Sequence, residues 1–207
     1  MLIIGLTGSI GMGKSTAAAR FAANGIAVFD ADAKVHQLYN GPLASKIEAA
    51  FPGTTVNGKV DRAKLSAALL KEPQSFRQLE AIVHPAVREA ERNFIRDEAA
   101  KGAKIAVLEV PLLFEAGGSQ AVDMIVVVSS SPNIQRARVL ARPGMNAEKL
   151  DRLLQRQTPD AEKRARADFI VDTNGSVDAC TAQVDAIIAK LSNKKGEAYH
   201  RFWAEPN

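Results

Sequence analysis

Apolar residues arrive along this chain in short runs, separated by glycine, proline and charge. The first run, Leu2-Ile3-Ile4-Gly5-Leu6, is of the kind that forms a strand buried on both faces. A glycine-rich stretch from Gly8 to Gly13 follows. Lys14-Ser15-Thr16-Ala17-Ala18-Ala19-Arg20-Phe21 then predicts a helix that stops near Asn24-Gly25. Ile26-Ala27-Val28-Phe29 predicts a second strand, closed by Asp30-Ala31-Asp32. Strand, loop, helix and strand open a parallel α/β sheet. From 33 to about 102 the pattern turns helical, with breaks at Gly41-Pro42 and Pro52-Gly53 and a hairpin-type turn at Asn57-Gly58. His84-Pro85 falls inside a long helical stretch, which it must kink or restart. Lys104 to Val110, ended by Pro111, and Val122 to Val128 predict further strands. Pro132 to Ala141 predicts a helix, Pro143-Gly144 breaks it, and Ala147 to Gln157 resumes one. Phe169-Ile170-Val171 is a last strand. Val177 to Leu191 is a closing helix with Val177, Val184, Ile187, Ile188 and Leu191 on its apolar side. The polar residues 193–207 carry a few aromatics, and the pattern gives them no place.

The pattern therefore predicts an α/β fold: a parallel sheet with helices on both faces and a helical insertion. A chain of 207 residues with 46% hydrophobic and 24% charged residues is of ordinary globular composition, which excludes a disordered or collagen-like chain. No run approaches the ~18 apolar residues of a membrane span. No basic stretch leading into an apolar one opens the chain, so a cytoplasmic protein without a membrane partner is expected. The lone Cys180 excludes an internal disulfide and a cysteine-based zinc site, and it reads as a small apolar filler on its helix. The net charge of +4 is local. From Arg136 to Arg166 nine basic residues stand against four acids, +5 on a remainder of −1. That segment holds no Phe, Tyr or Trp to interleave with its cations, which speaks against nucleic acid as a partner. An N-K-x-D guanine motif is also absent.

Gly8-Ser9-Ile10-Gly11-Met12-Gly13-Lys14-Ser15 matches G-x-x-x-x-G-K-[ST] with a strand before it and a helix after it. Such a loop turns its backbone N–H groups onto phosphate oxygens, and the helix adds its positive end. Gly11, Met12, Gly13, Lys14, Ser15 and Thr16 are the candidate nucleotide-binding residues. Lys14 would reach the β- and γ-phosphates, and the Ser15 hydroxyl would ligate Mg²⁺. Asp30 and Asp32 follow the second strand, at the sheet edge where α/β folds bind ligands. One can cap the next helix while the other orients an attacking hydroxyl or takes its proton. Arg138 and Arg142, four apart on an expected helix, share a face suited to phosphate. The other cations of the segment, Arg152, Arg156, Lys163, Arg164 and Arg166, read as solvated. Glu109 is a candidate to support a metal site, or a surface acid at a strand end. Glu115 pairs with an arginine or serves as a loop acid.

Several segments, in order and spacing, make the chain resemble the dephospho-CoA kinase family over about 2–175. They are Gly5 to Thr16, Asp30-Ala31-Asp32, Asp61-Arg62 with Leu65, Leu79-Glu80 with His84-Pro85, and Pro111-Leu112-Leu113-Phe114-Glu115. Gln135 with Arg138 and Arg142, Gln157, Ala167-Asp168 and Asn174-Gly175 complete them. The resemblance implies a P-loop kinase-type three-layer fold, similar to nucleoside monophosphate kinases, with a core, an acceptor-binding helical insertion and a lid. In this chain these fall at about 1–32, 103–135 and 167–192 (core), 33–102 (insertion) and 136–166 (lid), with 193–207 as a tail. It implies transfer of the γ-phosphate of ATP, with Mg²⁺, to the ribose 3′-hydroxyl of dephospho-CoA. Asp32, Lys14 and Arg142 are then catalytic. Arg138, Arg142 and Asn174 join the ATP site, while Thr7, Asp32, His84, Pro111 and Leu113 take the acceptor. A nucleoside monophosphate is the competing acceptor. The chain departs from the family at Ser9 and Met12, where small residues are usual, and at Pro143, where an acid is common.

Overall fold

The computed structural model describes residues 1–70, 72 and 74–204. Along the chain run β1 (Leu2–Thr7), α1 (Lys14–Ala23), β2 (Ala27–Asp30), α2 (Ala31–Tyr39), α3 (Ala44–Ala50), β3 (Thr55–Val56), β4 (Lys59–Val60), α4 (Arg62–Leu69) and α5 (Ser75–Ala100). Then follow β5 (Ile105–Glu109), β6 (Met124–Ser129), α6 (Pro132–Leu140), α7 (Ala147–Gln155), α8 (Asp160–Ala165), β7 (Phe169–Asp172) and α9 (Val177–Leu191). The chain divides into two compact units, Met1–Phe29 with Phe94–Asn207, and Asp30–Asn93.

Among the described residues the larger unit is built on a sheet of order β2-β5-β1-β6-β7. β1 lies in parallel register with β5 (Leu2 beside Ile105) and with β6 (Ile4 beside Met124), and β6 pairs in parallel with β7. All six residues of β1 are buried. A central parallel strand has helices or loops over both faces, so its sequence is a continuous apolar run instead of an alternation. Leu2, Ile4 and Leu6 face a core shared with Ala17 and Phe21 of α1 and with Cys180, Val184, Ile187 and Leu191 of α9. On the other side of β1, Leu113 and Val122 close over Gly5.

Several expectations need correction. Val177 is not on the apolar side of α9: as the first residue of the helix it is 64% exposed. The strand expected from Val122 starts at Met124, since the Asp123 carboxylate turns back to take the Ile3 N–H (2.8 Å). The other Asp123 oxygen takes the N–H groups of Glu197 and Ala198 (2.6 and 2.8 Å), which places the start of the tail. A π-type turn, Tyr199–Trp203, follows, and buried Trp203 donates its ring N–H to the Ala121 carbonyl (2.7 Å). The last tail residues, 205–207, lie outside the described residues.

The smaller unit packs Tyr39, Leu43, Ile47, Phe51, Val60, Leu65, Leu69 and Val83 into a core of its own. Asn57-Gly58 makes the expected hairpin turn, with positive φ at both residues (51° and 73°), and joins β3 to β4. α5 does not restart at Pro85; it runs as one helix of 26 residues. The proline removes one ladder bond, and the remaining turns of so long a helix hold it together. Among the described residues no helix is long and apolar enough to cross a membrane.

Candidate active site

β1 delivers the chain into the phosphate loop, and the loop is fixed by packing as well as by sequence. At Gly8 a side chain would strike the Val128 carbonyl. At Gly11, where φ is +79°, a Cβ would lie 2.5 Å from Val139 Cγ2. Ile10 in the loop is held through both its flanking peptides: its N–H donates to Gln157 Oε1 (3.2 Å), and its carbonyl accepts from Gln135 Nε2 (2.8 Å). Met12 is buried, its sulfur accepting from the Ser130 N–H (3.1 Å) and its carbonyl from Thr173 Oγ1 (2.8 Å). A long residue in this slot is thus anchored to the end of β6. α1 begins at Lys14 with no side-chain cap and no acid in its first turn. Its positive end is thus offset by no side chain of its own first turn, which suits an anion there.

Beside the loop lies a cavity of about 360 Å³. It is lined by Gly11, Gly13 and Thr16, by Arg138 and Arg142, and by Thr173, Gly175, Ser176, Val177 and Cys180. Arg138 is clamped by two donated bonds to Thr173, to Oγ1 (3.0 Å) and to the carbonyl (2.7 Å). The two arginines do not share a helix face as expected. α6 ends at Leu140, and Arg142 follows it as the residue before Pro143, a position that disfavours helix. Both still line the cavity. Burial pushes the Cys180 thiol up, against the pull of Arg138, so it lines the cavity as a neutral group. Asn174 is engaged in a turn: its carbonyl accepts from the Ser131 N–H (2.7 Å), and its amide donates to Asp172 Oδ1 (2.8 Å).

Around the ends of β1 and β5, buried Thr7 donates its hydroxyl to the Pro111 carbonyl (3.2 Å). Leu113 is buried under Gly5 and Gly118, while Leu112 beside it is exposed. Glu109 is buried, which overturns the reading of it as a surface acid. Glu115 finds a lysine, not an arginine: Lys163 Nζ lies 3.1 Å from Oε1, which also accepts the Thr158 N–H (2.6 Å). Burial raises the Glu115 carboxyl, but the N–H bonds and Lys163 outweigh it and hold the group below its usual range. Lys163, expected in solvent, is wholly buried. Arg166 lies over the Phe114 ring at 4.1 Å.

In the smaller unit the two acids separate. Asp30 caps α2, accepting from the Ala33 N–H (2.9 Å), and Asp32 is exposed in the first turn. His84 and His36 are exposed on α5 and α2. Sequence reasoning missed Thr173, the burial of Lys163, and the bond from the Ser129 hydroxyl to Asp160 (2.7 Å). No local pattern marks these, since each partner is distant in the chain.

The fold recurs in a dephospho-CoA kinase from Campylobacter jejuni, at TM-score 0.68 and 24% identity, covering 92% of this chain and 96% of that one. It recurs more closely in the crystal structure of TT1252 from Thermus thermophilus, at TM-score 0.78 and 33% identity, covering 92% and 97%. Sheet order, phosphate loop and uncapped helix start together define a P-loop kinase. The model of the dephospho-CoA kinase family matches residues 2–179. A dephospho-CoA kinase of Rhodopseudomonas palustris (strain BisB18) is 58% identical over 189 residues, 91% of this chain and 95% of that protein. The chain belongs to the dephospho-CoA kinase family.

Proposed function

We propose that this chain transfers the γ-phosphoryl group of ATP to the ribose 3′-hydroxyl of dephospho-CoA, giving CoA and ADP in the cytoplasm. The observation that carries the reading is a phosphate loop opening on a cavity walled by Arg138 and Arg142, in a chain of this family. The loop residues Gly11, Met12, Gly13, Lys14, Ser15 and Thr16 hold the ATP phosphates, with Lys14 on the β- and γ-oxygens. The cavity takes the nucleoside, Asn174 shaping its rim through the turn before Gly175. Thr7, Asp32, His84, Pro111 and Leu113 serve the acceptor. Residues 33–102 act as the acceptor-binding insertion and 136–166 as the lid.

Asp32 orients the 3′-hydroxyl and takes its proton as the new P–O bond forms and the bond to ADP breaks. Arg142 neutralises charge that builds on the transferring group. The donors fit a Mg²⁺ ion bound chiefly by the nucleotide. Among the described residues no cluster of three His, Cys, Asp or Glu forms a metal cage, and the hydroxyl of exposed Ser15 would hold the ion beside the nucleotide. The ion would supply charge neutralisation on the phosphates.

The test is incubation with ATP and a panel of acceptors that includes dephospho-CoA and nucleoside monophosphates, with CoA identified as product. Asp32→Asn is expected to lower kcat by about 10²–10⁴ while ATP still binds. Turnover near that of the unaltered chain would remove Asp32 from the reaction.

A further inference from the structure

Residues 157–166 fall within the segment expected to be the lid, with their cations in solvent. Three of them, Gln157, Thr158 and Lys163, are bonded to the loops around the end of β1. Gln157 takes the Ile10 N–H at the apex of the phosphate loop (3.2 Å), and the next residue, Thr158, donates its N–H to Glu115 in the loop after β5 (2.6 Å). One peptide step thus spaces the phosphate loop from the Pro111–Glu115 loop. Lys163 fastens the second of these. Its buried ammonium lies 3.1 Å from Glu115 and donates at 3.5 Å to the Pro111 carbonyl, which also accepts the Thr7 hydroxyl. A buried ion pair stabilises little more than a well-packed apolar pair would, so stability alone gives a poor account of a lysine here. What this pair supplies is position: it fixes an irregular loop to Thr7, the residue that leads into the phosphate loop.

We propose that Lys163 and Gln157 are positioning residues for the transfer, Lys163 acting on the acceptor side and Gln157 on the nucleotide side. The inference rests on the reading above that Pro111 and Leu113 serve the acceptor. Phosphoryl transfer depends on the alignment of donor and acceptor, so loosening either loop should show in the binding of one substrate.

Lys163→Met, the double variant Lys163→Met/Glu115→Gln, and Gln157→Leu are compared with the unaltered chain by steady-state kinetics and thermal melting. The lysine variants are expected to raise KM for dephospho-CoA about tenfold and to leave KM for ATP within about twofold. Gln157→Leu is expected to do the reverse. A merely structural role would lower Tm and leave both KM values alone or move them in parallel, and either result in a folded variant overturns the proposal. Should Lys163→Met fail to fold, the double variant decides, because it buries no unpaired charge and its new amide still accepts the Thr158 N–H. An unaltered chain that turns over ATP but not dephospho-CoA overturns the proposed function, and this inference with it. One that makes CoA, with KM values moving in parallel in the variants, overturns the positioning role alone.

Discussion

Thr173 joins three parts of the nucleotide side. Its hydroxyl accepts from Arg138 and donates to the Met12 carbonyl, and its own carbonyl takes a second Arg138 bond. Thr173→Val keeps the shape and removes the hydroxyl. It orphans a buried carbonyl and loosens Arg138, so we expect a loss of about 1–3 kcal/mol in urea unfolding together with a raised KM for ATP. Thr173→Ser should restore both, and a valine variant with unchanged KM would show that Arg138 needs no such clamp. Nothing near Thr173 in the sequence announces this, because its partners sit in other elements. The phosphate loop was legible, since backbone geometry and phosphate chemistry constrain consecutive residues there. Lys163 was not. α8 reads Asp-Ala-Glu-Lys-Arg-Ala, so no apolar stripe signals a buried face, and the pairing with Glu115 exists only in three dimensions.

At the scale of elements, apolar runs located β1, β5, β6 and α9, because buried parallel strands need them. Patterns failed where a local rule met a longer context. Pro85 did not restart α5, and Arg142 fell outside α6 because Pro143 follows it. α5 also carries a group whose state depends on its packing. Burial pushes the Glu91 carboxyl up to about 7, with Arg88 opposing. An acid raised in the folded state disfavours folding once it ionises. The folded chain is therefore unaffected below the unfolded value of 4.5, and stability falls as pH rises from there through about 7. Glu91→Gln should melt higher than the unaltered chain at pH 8, by up to about 3 kcal/mol, and equally near pH 4.5. A gain that persists at the lower pH would mean that packing, not ionisation, is responsible.

Over the whole molecule the +4 charge is concentrated between Arg136 and Arg166, within the segment that the family resemblance makes the lid. The structure distributes those cations: Arg138 to Thr173, Lys163 to Glu115, Arg166 to the Phe114 ring, Arg136 to Asp151 at 3.3 Å and Arg152 to Glu148 at 2.6 Å. Charge counted along a chain does not tell which cations hold the protein together. The tail was equally opaque, since seven aromatic or basic residues among polar ones match no helical or strand period. In the structure Trp203 is 6% exposed and hydrogen-bonded to Ala121, and its carbonyl accepts from Arg96 Nε on α5 (2.9 Å). These are contacts within the larger unit, distant in sequence from the phosphate loop. Trp203→Ala should therefore lower unfolding stability by about 3–5 kcal/mol, the cost of emptying a buried aromatic site, while KM for ATP stays as it was. Trp203 is the only tryptophan in the chain, so its fluorescence reports on tail docking directly. In urea its emission should shift to the red in step with the loss of helical signal if the tail belongs to the cooperative unit. A shift that comes first, at lower urea, would show that the tail is a separately melting strap and that the larger unit folds without it.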